Sequence, residues 1–209
     1  MSKPLNYFLA SIERAKSLVE RSDQSDAEGD DILRAAAVIA VAAYDHYFTS
    51  KFCDVLSSYL RSNEPNNELV DLLSRAGLNT KSAIEIAVMK RPFRRIRALI
   101  SSSLSEKTTN RSKSIDNLFT AIELYGLTGR VLKETKRKKL GVRIDKLVDL
   151  RNEIVHFAHL NSHGKPKKIS KVDVGSRISE VKLFVETSER IINEWVKSKK
   201  LPSVSSVSD

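Results

Sequence analysis

Residues 140–160 read LGVRIDKLVDLRNEIVHFAHL, and their spacing decides the fold. From Ile144 the apolar residues fall at Leu147, Val148, Leu150, Ile154, Val155 and Ala158. That is close to the i, i+3, i+4, i+7 pattern of an amphipathic helix, and it predicts one from about Val142 to Leu160. Arg151 falls in the middle of the apolar stripe, one turn from Leu147 and Val148 and one turn from Ile154 and Val155. An unpaired buried charge is very costly, so this guanidinium must face a partner, a cleft or a subunit interface. Asn152 and His156 are i, i+4 neighbours and share a face beside it. A fixed cation, an amide and an imidazole are thus gathered on about one and a half helical turns.

A bland reading stands beside this one. A mid-helix Arg often snorkels to solvent, and a lone His is usually a satisfied structural residue. The motif has only three defined positions, so chance matches are common, and on spacing alone the two readings stand level. Resemblance to a known family shifts the balance. RNEIVH, preceded by LGVRIDKLVDL and followed by FAH, resembles the RN-x3-H signature of HEPN domains. Upstream, LRAAAVIAVAAYDHYFTSKF (33–52) resembles the long early helix of the same superfamily, in which an Ala-rich run leads into an acidic residue and aromatics. The acid here is Asp45, where the family more often has Glu. The resemblance covers roughly residues 30 to 195 and is nearest to the RiboL-PSP type of HEPN domain. Only Arg151, Asn152 and His156 match specifically enough to carry catalysis across, with His159 and Asp45 behind them as supporting residues.

The chemistry of those three residues suits RNA, which carries its own nucleophile in the 2′-OH. Cleavage needs a base for that proton, an acid for the 5′-oxygen, and positive charge on the phosphorane. His156 can supply acid–base catalysis, worth roughly 10² to 10⁴-fold. Arg151 can grip phosphate oxygens in a planar fork, and Asn152 can orient the 2′-OH, the phosphate or the His156 ring. One chain offers one motif histidine where the reaction wants two groups, so a two-fold homodimer would supply both and would also account for an Arg on an apolar stripe. The resemblance implies the same arrangement: a composite cleft at a dimer seam, no metal, and products ending in a 2′,3′-cyclic phosphate and a 5′-OH. It further implies a bacterial toxin or antiphage effector, with a cognate antitoxin or regulatory protein as a partner. The alternative is a non-catalytic HEPN module that binds RNA, a nucleotide or a partner protein. The intact trio favours catalysis, because a scaffold has no need of it.

Composition agrees with a polyanionic partner. The 209-residue chain carries a formal charge of +10, and its pI is about 9.7. Such a surface suits nucleic acid first and an anionic membrane second. Candidate phosphate contacts are Arg94 and Arg95, then Lys136, Arg137, Lys138 and Lys139, then Lys167 and Lys168. A charge run is usually only a solvated face. Two of these runs flank the motif helix in sequence, which would let them track a backbone into the site. No RNP-type aromatic motif, KH loop, zinc finger or Walker loop is present, so base-specific readout has no visible source. A membrane-surface role is disfavoured, because no helix pairs a strongly basic face with exposed Trp or Phe.

Cys53 is the only cysteine, which excludes an intrachain disulfide, and its apolar helical context reads as core. His156, His159 and His163 lie close in sequence, and His156 and His159 share a face if the helix reaches Leu160. No clear third ligand accompanies them, so neither a metal nor another cofactor is expected. The N-terminal apolar run is broken by Glu13 and Arg14, unlike a signal peptide, and no window of about 18 apolar residues spans a membrane. A cytoplasmic location is therefore expected.

The rest of the chain reads as helix. Leu5, Phe8, Leu9, Ile12, Ala15 and Leu18 mark a first amphipathic helix, and SDQSDAEGDD a polar loop. A long helix is predicted from about Asp31 to Leu60, short ones over Glu68–Ala76, Lys81–Lys90 and Ser114–Tyr125, and a final one over Ser176–Lys199. No paired strands and no repeat stand out. The expectation is an all-α fold, an irregular HEPN-like bundle with long antiparallel helices, forming one domain over residues 1–199 with a disordered tail at 200–209.

Overall fold

The computed structural model describes residues 1–22, 27–105 and 111–201. Among them it contains nine α-helices and no strand: α1 (Lys3–Arg21), α2 (Ala27–Tyr59), α3 (Asn67–Arg75), α4 (Thr80–Ala87), α5 (Pro92–Ser105), α6 (Ser112–Thr120), α7 (Leu127–Thr135), α8 (Leu140–Phe157) and α9 (Lys171–Ser198). The architecture is the expected all-α bundle. A single isolated bridge, Leu160 to Pro166, is the extended pairing among these residues.

The 33-residue α2 is the central post, with α1, α5, α8 and α9 packed along it. Its Ala36, Ala37 and Ala40 are fully buried. Small side chains there let neighbouring backbones approach closely. Further along, Tyr44, Tyr47, Phe48 and Phe52 fill the space. Phe48 meets Tyr44, Tyr47, Phe119 and Phe184 edge-on, tying α2 to α6 and α9. Each fully buried large side chain contributes about 1.5–3 kcal/mol from desolvation alone. Cys53 belongs to this core, and burial pushes its thiol up to about 11.

Local signals set the helix ends. Ser2 caps α1, accepting from Leu5 N, and Asn79 with Ser82 forms a capping box on α4. α2 begins at Ala27, so Glu28, Gly29 and Asp30, expected in a loop, form its first turn, where acids suit the positive end of the helix dipole. α7 has no counterpart in the sequence expectation. Gly126, at φ 62, makes the left-handed turn into it. α9 starts at Lys171, earlier than expected, capped by Ser170. Of the expected tail, Leu201 packs into the core, and residues 202–209 lie outside the described residues. Of residues 108–114, whose polar sequence reads as a loop, 108–110 lie outside the described residues and Ser112 already belongs to α6. Among the described residues no helix is long and apolar enough to cross a membrane.

Candidate active site at the end of the motif helix

α8 is held between α2 and α9 by its buried Leu140, Ile144, Leu147 and Val148. It runs antiparallel to α2: Asp145 near its start acts electrostatically on Tyr44, and His159 just past its end meets Arg34. Arg143 clamps the start to α9 through Glu180 at 2.7 Å and Ser176 at 2.8 Å. The apolar stripe of α8 is therefore two surfaces. The first half is core. Beyond the half-buried Leu150 and Ile154 the helix emerges, leaving Val155 54% and Phe157 71% exposed.

Arg151 stands at the junction of these halves. It is half-buried, and its Nε is buried with no hydrogen-bond partner. No carboxylate pairs with its guanidinium among the described residues. A buried guanidinium N–H without an acceptor costs about 1–3 kcal/mol. That cost persists because well-packed residues on either side, Val148 at 0% exposure among them, keep the helix in place. Asn152 is half-buried and His156 exposed, one turn apart on the adjoining face. The His156 ring meets Phe157 edge-on at 6.3 Å. The motif thus presents an unpaired guanidinium, an amide and an open imidazole next to exposed apolar side chains.

The helix stops sooner than the sequence suggested. Ala158 and His159 both adopt left-handed backbone, at φ 51 and 53, and the amide of His159 bonds back to Glu153 O at 3.2 Å. His156 and His159 consequently do not share a helix face. Instead the His159 side chain turns inward and is 5% exposed. Arg34 donates from Nε to His159 Nδ1 at 3.2 Å and from Nη2 to the Lys167 carbonyl at 2.5 Å. A guanidinium has no acceptor, so Nδ1 carries no proton, and the ring is the neutral Nε2–H tautomer. Burial, then the Arg34 charge, holds His159 below the usual histidine range. His159 is therefore an anchor. With the Leu160–Pro166 bridge and the Lys167–Glu153 ion pair it ties the exit of α8 to α2 and to its own following turn. Glu153, between Asn152 and Ile154, takes part in that tie, and Lys167 holds its carboxyl below the usual carboxylate range.

Arg34 had no role in the sequence reading. The signal was available: an arginine inside the run LRAAAVIA raises the same question of a buried charge as Arg151. Here the question is answered by His159, Lys167 O and Asp31.

The other candidate residues are scattered. Asp45 is half-buried on α2 and, with Asp116 and Asp145, acts on Tyr44, whose hydroxyl burial pushes well above the usual tyrosine range. Arg94 and Arg95 are exposed on α5. Lys136, Arg137, Lys138 and Lys139 are exposed at the turn between α7 and α8. Flanking α8 in sequence puts Lys139 at its far end, 17 residues and so about 25 Å from His156 in the same chain. Lys167 and Lys168 lie at the near end, and both are engaged, with Glu153 and with Asp30 at 3.5 Å. His163 is exposed in the turn before Gly164. Among the described residues no three His, Cys, Asp or Glu side chains cluster with metal-binding geometry.

A family model described as RiboL-PSP-HEPN matches residues 5–194, from the first turn of α1 to the last turns of α9. No curated protein and no solved structure gives a significant match to the chain.

Proposed function

This chain belongs to the RiboL-PSP-HEPN family, and from that premise we propose that it is a metal-independent endoribonuclease acting as a homodimer. One observation carries the reading. Arg151 keeps a buried, unpartnered Nε and an unpaired guanidinium, five residues before an exposed histidine on the same helix. A purely structural arginine finds a carboxylate or a carbonyl, as Arg34 does. A guanidinium left unpaired suits an anion that arrives later, and its planar fork suits a phosphate.

In the proposed reaction the 2′-oxygen attacks the adjacent phosphorus and the P–O5′ bond breaks. His156 of one protomer takes the 2′-OH proton. The same residue of the other protomer gives a proton to the departing 5′-oxygen. The two Arg151 forks neutralise the phosphorane, and Asn152 orients the attacking hydroxyl or the phosphate. The products are a 2′,3′-cyclic phosphate and a 5′-OH. The exposed Val155, Phe157 and Leu160 around the motif support a seam at this place, since apolar residues beside an unpaired charge gain most from a partner that covers both. A toxin or antiphage role, and an antitoxin that restrains it, follow from the family likeness alone.

The test is incubation of the purified chain with total RNA in EDTA, with the 3′ ends mapped for cyclic phosphate. Wild type cleaves, while Arg151→Ala and His156→Ala lose cleavage and keep the melting temperature. Equal cleavage by His156→Ala and wild type would reject the nuclease reading in favour of a binding module.

A further inference from the structure

A cavity of about 670 Å³ opens between the start of α1, the middle of α2, α5 and the end of α9. On α2 it is lined by His46, Ser50, Asp54 and Ser58, a stripe at i, i+4 spacing. Ser50 lies about 160° round α2 from Arg34, so the cavity is on the other side of this helix from the end of the motif helix.

Its floor is a buried cation. The Lys51 side chain is 6% exposed and pairs with Glu189 at 2.9 Å. It also donates to Asn193 Oδ1 at 2.8 Å. Glu189 in turn accepts from Tyr47 OH at 2.8 Å and from Asn193 Nδ2 at 3.1 Å, so both of its oxygens are engaged. An ammonium has three donors, and two are used, leaving one N–H of Lys51 at the cavity wall with no partner among the described residues. Around it, Arg97 is paired with Asp54 and is itself 49% exposed, and Lys3 lies over the Tyr7 ring at 5.7 Å. Counting the Met1 amino group, four cations face Asp54 in the lining and Glu189 behind it, so positive charge is in excess. The remaining wall is apolar or planar: Pro4, Tyr7, Val55 and Val196.

We propose that this cavity binds a small amphipathic anion: a carboxylate or phosphodiester whose charged group meets Lys51, Lys3 and Arg97 and whose apolar or planar body lies against Tyr7, Val55 and Val196. The volume falls in the range of small-molecule sites, about 300–1,000 Å³. A bound anion reduces this excess of positive charge, and its oxygen takes the free donor of Lys51. The site shares no residue with the motif, so it stands or falls independently of RNA cleavage.

Calorimetric titration of the whole chain tests this with two anions, octanoate and 2′,3′-cyclic AMP, each against its uncharged counterpart, octan-1-ol and adenosine. At least one anion should bind about tenfold or more tightly than its counterpart, the worth of one charge-assisted hydrogen bond. Octanoate alone would identify a carboxylate ligand, and cyclic AMP alone a phosphodiester. Lys51→Met would strand Glu189, so the variants are chosen at the rim. Lys3→Gln, which leaves the Arg97–Asp54 pair in place, should weaken the anion about tenfold at an unchanged melting temperature. Ser50→Phe, which fills the cavity, should abolish binding. The proposal is overturned if neither anion saturates, if charged and uncharged forms bind alike, or if the folded rim variant keeps wild-type affinity.

Discussion

Arg34→Met probes the anchor that holds the end of the motif helix. The Arg34 side chain is 8% exposed and makes three hydrogen bonds. The bond to Asp31 reaches a carboxylate that is 75% exposed, and such a pair contributes only about 0–1 kcal/mol. The bonds to His159 Nδ1 and to the Lys167 carbonyl are charge-assisted and shielded, worth about 1.5–3 kcal/mol each. Methionine keeps the apolar stem and removes the burial penalty of the charge, which offsets part of the loss. The expected net destabilisation is about 2–4 kcal/mol. The substitution should also change the pH dependence. His159 is held below the ordinary range by burial first, then by Arg34 and Lys167, against Glu153 and Asp30. A histidine depressed in the folded state takes its proton more readily when unfolded. Wild-type stability therefore falls as pH drops below the unfolded value of about 6.5, until the folded ring is protonated too. Removing Arg34 removes one cause of the depression, so the variant loses less on acidification. The penalty of the substitution should be largest above about pH 7 and should shrink toward about pH 5. Urea unfolding followed by circular dichroism at both pH values measures it. A penalty below about 0.5 kcal/mol, or one that is constant or grows on acidification, refutes the anchor.

Further outcomes follow from the same geometry. Arg151→Lys should cleave RNA poorly, because a point charge does not reproduce the fork, while Asn152→Ala should be the milder lesion in single-turnover assays. Wild-type rates in Arg151→Lys would remove the bidentate role. Leu147→Ala, at 0% exposure, should cost about 2–5 kcal/mol in urea unfolding. Phe157→Ser should change stability of the isolated chain by less than about 0.5 kcal/mol yet lower the mass seen by light scattering; an unchanged mass would place the seam elsewhere. Replacing Lys136, Arg137, Lys138 and Lys139 by Gln should flatten the salt dependence of RNA affinity by about 0.7 per lost phosphate contact, and an unchanged slope would take the α7–α8 turn off the RNA path.

Much of the fold was legible because its two decisive helices carry long, unambiguous patterns. The run from Leu33 to Phe52 is apolar nearly all round, as a central helix must be, and α8 repeats its apolar residues at helical spacing. The helix α7 was not legible. LTGRVLKET holds a glycine and only three apolar side chains, and its stability comes from Leu127 and Val131 entering a core built by other segments. The acidic stretch before α2 read as a loop because Gly29 and Asp30 are poor helix formers in isolation. What rescues them is position, with Asp30 buried at the helix start beside Lys168.

The candidate site divides along the same line. By sequence alone, Arg151, Asn152 and His156 belong on one and a half turns, and Arg151 needs a reason to sit among apolar residues. These are properties of helical periodicity, which is local. Sequence could not say that α8 leaves the core between Ile154 and Val155, or that His159 swings out of the helix to meet Arg34 125 residues away. Those outcomes depend on which charges find partners, and partners come from packing between distant segments. Arg34 and Arg151 look alike in the sequence, each a cation in an apolar run. Only the tertiary structure distinguishes them, by giving the first three acceptors and leaving the second without one.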